Sequence, residues 1–256
     1  MAEPARQPVA LITGASAGLG AEFARQLSKR GHRLVLVARR KERLDALAAE
    51  LGKARAVAID LSIPGAAAEL MADIDNAGEQ VELLINNAGF GLRGYFANQD
   101  PARLRQMIDL NCGVLAELCR AVLPQMIERR SGGILNVAST AAFQPGPGMA
   151  VYYATKAFVL SLSEALHEEA KPYGVKVSAL CPGPTRTEFG DIAGFSKSAA
   201  LTRVSMDAEP VVRKGLEALE ANKAVVITGA LNRAVAFSTR LAPRSIARKI
   251  AGALNL

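Results

Sequence analysis

Tryptophan is absent and aromatic residues make up only 5% of the sequence, so Ala, Leu, Val and Gly must carry the core packing. Small and branched side chains let helices lie close on a sheet, which suits α/β layers better than a β-sandwich. Cysteine is scarce as well: Cys112, Cys119 and Cys181 form no C-x-x-C pair or other metal-ligand spacing. An odd count without an export signal implies reduced thiols, assigns no metal site and points to a cytoplasmic setting. The first eight residues are polar and contain proline, and the apolar run after them is too short for a signal core or a membrane span. Only two histidines occur, His32 and His167, and both lie far from the motifs below, so they are expected to be surface or packing residues. The net charge of +7 is modest and spread along the chain, which does not imply a nucleic-acid partner.

What is present is 256 residues, half of them hydrophobic, enough for one substantial core. The expectation is a single domain over 1–256, with a substrate-loop and tail region from about 184 to 256. Apolar, β-rich runs recur at 9–12, 34–37, 54–59, 83–85, 134–137, 175–180 and 225–227, each separated by a stretch of helical spacing. The runs are nearly continuous in apolar character, the pattern of strands buried on both faces of a parallel sheet. This predicts a Rossmann-type, doubly wound α/β sandwich of three layers with about seven strands, mainly parallel. Helices are expected near 18–30, 40–51, 65–77, 101–130, 150–171, 208–221 and 231–253, with Gly31, Gly52 and Gly174 at helix ends.

The first strand-to-helix turn runs Thr13-Gly-Ala-Ser-Ala-Gly-Leu-Gly20. Without side chains at Gly14, Gly18 and Gly20, backbone N–H groups and a helix N-terminus can approach a pyrophosphate. The spacing, Gly-x-x-x-Gly-x-Gly, departs from the G-x-G-x-x-G fingerprint, and an ordinary tight turn is the plain alternative. After the second strand comes Ala38-Arg39-Arg40, with no acid to accept from a ribose 2′-hydroxyl. A guanidinium at Arg39, with Arg40 beside it, would pair with a 2′-phosphate and favours NADP(H) over NAD(H). Both arginines could instead belong to the solvated first turn of a basic helix.

Tyr152 and Lys156 stand one helical turn apart, and Ser139 follows an apolar strand. Carbonyl reduction needs a proton donor beside a hydride source, and a phenol with a pKa of about 10 needs a neighbouring cation to work near neutrality. Lys156 is placed to supply it, and a serine hydroxyl at the sheet edge could polarise a carbonyl. Tyr153, three residues before Lys156, is an equal rival on helical geometry.

Together with Asp60-Leu61, Asn86-Asn-Ala-Gly89, Asn111 and Pro182-Gly183-Pro-Thr-Arg-Thr187, these motifs resemble the short-chain dehydrogenase/reductase family, in its compact one-domain branch, from about residue 9 to about 190. The resemblance implies an oxidoreductase with nicotinamide bound across the strand C-termini. It selects Tyr152 over Tyr153 through the thirteen-residue step from Ser139. It further implies a catalytic set of Asn111, Ser139, Tyr152 and Lys156, with Asn111 holding a water-linked proton relay. The cofactor would be held by Gly14, Ser16, Gly18, Leu19 and Gly20, by Arg39, Asp60 and Leu61, and by Asn86, Asn87, Ala88 and Gly89. Pro182, Gly183, Thr185 and Thr187 would flank the nicotinamide, with Tyr152 also at the cofactor and Lys156 holding the nicotinamide ribose. Homodimers or homotetramers are implied as well.

Substrate choice should lie in segments 90–96, 141–149 and 189–201. There Phe90, Leu92, Phe143, Met149, Phe189, Ile192 and Phe195 suggest an apolar ketone, aldehyde or secondary alcohol, while Arg93 and Arg186 leave room for an anionic group. The basic tail, 233–256, interrupted by Pro243, is expected to be a partly packed terminal helix, with membrane-surface or partner contact as the alternative. Two rival functions share the fold: a non-enzymatic dinucleotide sensor or scaffold, and an NAD-dependent alcohol dehydrogenase.

Overall fold

Along the first strand, β1 (Gln7–Thr13), successive side chains alternate between two apolar clusters, Val9 and Leu11 entering one and Ala10 and Ile12 the other. Both faces are covered, so the apolar run shows no polar alternation. The computed structural model describes residues 6–192, 205–241 and 243–255. After β1 come α1 (Gly18–Lys29), β2 (Leu34–Ala38), α2 (Lys41–Leu51), β3 (Ala54–Ala58), α3 (Ala66–Asn76) and β4 (Glu79–Asn86). Then follow α4 (Pro101–Ile108), α5 (Leu115–Glu128), β5 (Gly133–Val137), α6 (Ala150–Ala170), β6 (Lys176–Cys181) and the short α7 (Phe189–Ile192). The described chain closes with α8 (Ala208–Glu220), β7 (Val225–Ile227), α9 (Ala230–Leu241) and α10 (Arg244–Asn255).

The seven strands pair in the order β3-β2-β1-β4-β5-β6-β7, every pairing parallel. One cluster packs α1, α2 and α8 on the sheet through Phe23, Leu27, Leu44, Val212 and Leu216; the other packs α3, α5 and α6 through Leu70, Leu118 and Val159. The order reverses between β1 and β4, which opens a crevice at their carboxyl ends, where ligands of doubly wound sheets sit.

Four differences from the sequence expectation have physical causes. Strand β4 begins at Glu79 instead of residue 83, because the buried Glu79 accepts from Arg55 Nη2 of β3 at 2.6 Å and so hides its polarity within the sheet. The single helix expected over 101–130 is divided by a wide turn, Asp109–Val114, wound with i→i+5 bonds, the kind of distortion that recurs at functional sites. A short helix, α7, forms where a loop was expected. The tail folds as two helices, α9 and α10, with Pro243 between them. Gly31, Gly52 and Gly174 take positive φ at helix ends as anticipated. Phe195 and most of the 189–201 segment lie outside the described residues.

Candidate active site

The glycine turn is locked to the end of β4. Thr13 Oγ1 accepts from the N–H groups of Asn87 and Ala88, both at 3.0 Å, and Asn87 Nδ2 donates to the carbonyls of Thr13 and Gly14 at 2.9 and 3.2 Å. Gly14 has φ +67°, and a Cβ there would meet Asn87 Nδ2 at 2.8 Å. A Cβ on Gly20 would lie 2.1 Å from the Gly14 carbonyl oxygen, so this glycine serves the turn's own closure. Gly18 (φ +54°) faces Thr187, whose Cβ would be 3.0 Å from a side chain at that position. The cap residue of α1, Ala17, offers no side-chain acceptor and the first turn holds no acid, so the helix N-terminus keeps its partial positive charge for an anion. These features fit a dinucleotide pyrophosphate.

At the ribose end, the Arg39 side chain is 66% exposed, its nearest acid being Asp60 at 3.9 Å. Arg40 is otherwise engaged: Nε and Nη2 donate to Ser16 Oγ at 3.2 and 3.1 Å, and Nη1 to Glu188 at 2.8 Å, with Arg43 reaching the same carboxylate. Ser16 is therefore an anchor for Arg40, and Arg39 is the guanidinium presented to a ligand. Burial raises the Asp60 carboxyl, but hydrogen bonds from Ser62 N and Oγ, with Arg39 nearby, outweigh it and hold the pKa below its usual value. Leu61 points into the core, and Leu19 packs at the edge of the other cluster, so only their backbones are available to a cofactor. Asn86 is also turned inward: its Nδ2 donates to Asn136 Oδ1 at 2.9 Å, and Asn136 continues to Ser163 at 2.9 Å. That places Asn86 in strand support, away from the crevice.

The proposed chemical groups meet at the ends of β4, β5 and β6. Ser139 follows β5; its Oγ accepts from Ala141 N–H at 3.1 Å, and its hydroxyl is near enough to Tyr152 to favour the phenolate. Tyr152 is buried among Leu104, Met107, Ala141 and Met149, its ring 5.5 Å from that of Phe189. Lys156, one turn on, donates from Nζ to the Val137 carbonyl at 2.7 Å, and Nζ lies 5.9 Å from the centroid of the Tyr152 ring. Burial pushes the Lys156 amine down to about 8, against the pull of the neighbouring Cys112 and Cys181. Burial likewise pushes the Tyr152 phenol up to about 12, only partly opposed by the Ser139 hydroxyl. In this structure the ammonium is directed at a backbone carbonyl and desolvation dominates, while the expected lowering of the phenol's pKa belongs to Lys156 acting together with an oxidised nicotinamide.

Asn111 sits in the wide turn and is almost fully buried. Its Oδ1 accepts from Phe90 N–H at 3.1 Å, while Nδ2 donates to Phe90 O at 2.9 Å and Thr155 Oγ1 at 3.1 Å. The side chain thus ties the 89–90 segment to α6, and both of its donor hydrogens are used. A Cβ on Gly89 would meet Asn111 Oδ1 at 2.9 Å and Lys156 Nζ at 3.7 Å, which explains glycine there. Pro182 is buried and its carbonyl accepts from Thr140 N–H at 2.9 Å; a Cβ on Gly183 would strike Asn232 Nδ2 at 2.2 Å. Thr185 Oγ1 donates to Gly183 O at 3.0 Å, and Thr187 Oγ1 to Thr185 O at 3.5 Å. Tyr153 packs edge-on to Tyr152 at 6.2 Å, against the same cluster. His167 is a packing residue, its Nδ1 2.8 Å from the Val177 carbonyl.

Three contributors were not singled out from the sequence. Thr13 clips β1 to β4, Thr155 receives Asn111, and Glu188 joins the segment after β6 to α2. Thr13 at a strand end before a glycine was a usable signal. The other two depend on contacts far along the chain.

Residues 8–195 match a family model described as short chain dehydrogenase. An NADP-dependent 3-hydroxy acid dehydrogenase of Salmonella typhi is 38% identical over 187 residues, covering 72% of this chain and 75% of that protein. Among solved structures, a short-chain dehydrogenase from Sphingobium yanoikuyae in complex with NADPH is 37% identical with a TM-score of 0.82, covering 91% of this chain and 93% of that one. A bulky-bulky ketone specific alcohol dehydrogenase from Comamonas testosteroni is 33% identical with a TM-score of 0.78, covering 92% and 93%.

Proposed function

The chain belongs to the short-chain dehydrogenase family of oxidoreductases, and on that premise we propose that it is an NADP(H)-dependent reductase of apolar ketones or aldehydes, working as one domain. The observation that carries this reading is the buried Tyr152 phenol set one helical turn from the buried Lys156, with Ser139 at the end of the adjoining strand, beside a glycine turn shaped for an anion. NADPH, when bound, supplies the hydride. Tyr152 Oη gives its proton to the substrate oxygen as the carbonyl carbon accepts the hydride, leaving an alcohol and a phenolate. Burial keeps the phenol protonated beforehand, so the acid is loaded. Ser139 Oγ accepts from a backbone N–H, and its one hydrogen, which also favours the Tyr152 phenolate, would turn to the substrate oxygen and polarise it.

Lys156 uses one of its three N–H donors on Val137 and keeps two, for a cofactor ribose and for returning a proton toward Tyr152. Asn111 acts by holding Phe90 and Thr155 in place. Arg39 would pair with a 2′-phosphate, which agrees with the NADPH of the Sphingobium structure. Phe90, Leu92, Met149 and Phe189 about Tyr152 form an apolar wall, in keeping with the bulky ketones named for the Comamonas enzyme.

The test is a carbonyl panel assayed with NADPH and with NADH. Turnover of apolar carbonyls with NADPH preferred supports the proposal. Nucleotide binding without turnover would point to a sensor, and preference for NADH would overturn the role given to Arg39.

A further inference from the structure

The tail helices are turned inside out. In α9 the small Ala236 is buried while Leu231 is 68% and Phe237 61% exposed, with Val235 also outward. In α10 the buried residue is Ala251, and Ile246 and Ile250, one turn apart, both face outward. Ala236, Ala251, Gly252 and Asn232 thus face the body of the protein, and Leu231, Val235, Phe237, Ile246 and Ile250 are left uncovered. Uncovered apolar surface on this scale marks an interaction face.

Charge identifies the partner. Residues 221–256 hold six Lys or Arg and no Asp or Glu, while the whole chain carries +7, so the first 220 residues are close to neutral. The basic excess that looks dispersed along the sequence is therefore almost all in the tail. Arg233, Arg244, Arg248 and Lys249 form no ion pair among the described residues. A second copy of the chain would set cations against cations across a two-fold axis. An anionic lipid surface matches both features, accepting the cations at its headgroups and the apolar side chains just beneath.

The face also adjoins the chemistry. Helix α9 packs beside the Thr140–Phe143 turn that follows Ser139, and its Asn232 lies against Gly183. A Cβ on Gly252 of α10 would be 3.4 Å from Pro147, in the segment between Ser139 and Tyr152. We propose that α9 and α10 form a docking face for anionic membrane surfaces, lying next to the segment between Ser139 and Tyr152 so that the enzyme takes carbonyl compounds partitioned into lipid. The substrate clause rests on the reductase reading, whereas the docking face does not. Among the described residues no helix is long and apolar enough to cross a membrane, so the contact is peripheral.

The experiment is co-sedimentation of the full chain with phosphatidylcholine vesicles, with and without about 30 mol% phosphatidylglycerol, at low and high salt. Anionic vesicles should bind on the order of tenfold more protein, and the excess should fall at salt near 1 M, where charges are screened within about 3 Å. Two variants separate the contributions: Ile246→Ser with Ile250→Ser, and Arg244→Gln with Arg248→Gln and Lys249→Gln. Both should release the protein from vesicles while melting temperature and NADPH binding stay unchanged. Equal binding to both vesicle types, no binding to either, or variants that convert an oligomer to monomers without affecting sedimentation would each overturn the proposal. Because sedimentation needs no turnover, its failure leaves the reductase reading intact, and a silent carbonyl panel leaves the docking face intact.

Discussion

The two ends of the crevice treat charge in opposite ways. At the Tyr152 end, ionisable groups are enclosed, and burial moves the phenol up to about 12 and the amine down to about 8. At the Arg39 end, the guanidinium is two-thirds exposed, and the ion pairs of Glu188 with Arg40 and Arg43 stand in solvent. Interior groups have their protonation set by burial, whereas the exposed groups act through pairing, shape and reach, with Arg43 and Arg40 holding the Glu188 carboxyl below its usual value. Catalysis should therefore be fragile at one end, and cofactor choice adjustable at the other.

The largest expected effect breaks the enclosed end. Tyr152→Phe should lower turnover by about 10²–10⁴-fold with NADPH affinity retained, measured by absorbance decay and fluorescence titration. Tyr153→Phe, which alters a packing ring, should stay within about threefold of the parent, and the reverse pattern would falsify the assignment of Tyr152 as donor.

Lys156 provides a second test, through pH. Its amine ionises near 8 in the folded protein against an ordinary value of 10.5, so between these the unfolded chain binds more protons. The lysine's own contribution to stability should therefore rise with pH across that window, by an amount on the order of 3 kcal/mol in total, relieving a penalty that is full below about 8. Cys112, pushed up to about 11, with Cys119 and Cys181 pushed up to about 12, pull the other way from their ordinary value of 9.0 upward, inside the same window, and Tyr152, pushed up to about 12, joins them from 10.0. Urea unfolding of Lys156→Met beside the parent isolates the lysine. An unchanged pH slope in that variant would mean that the amine is not buried as a cation.

Smaller effects belong to the open end. Arg39→Asp should raise the KM for NADPH about 10–100-fold, the loss of one charge-assisted pairing, while improving use of NADH with little change in kcat. Glu188→Gln should alter unfolding free energy by less than about 1 kcal/mol, because its partners are solvated. A much larger loss there would erase the contrast between the two ends.

The parallel sheet was legible because both faces of its strands are apolar, so Val9 through Ile12 and Leu34 through Val37 stand out as unbroken runs. The glycine turn and the pairing of a tyrosine with Lys156 could be singled out from local spacing, whereas the choice of Tyr152 over Tyr153 came from the family resemblance through its step from Ser139. What stayed hidden depends on pairing across the sequence. Glu79 passes for a loop residue until Arg55 reaches it from β3, with two strands between them in the sheet, and Arg40 looks equivalent to Arg39 until Glu188 claims it. Asn86 and Asn87 are adjacent, yet strand alternation sends the first into the core and leaves the second on the turn.

The wide turn at Asp109–Val114 carries a consequence for chain length. An i→i+5 turn accommodates one residue more than an α-turn between the same flanking phases. Helices α4 and α5 can each meet the body of the protein in their own rotational setting because that extra residue absorbs the mismatch between them. The location of Asn111 is consequently written in residue count as much as in residue identity. A deletion in this stretch would move the amide off Phe90 and Thr155 even with every side chain of the site retained.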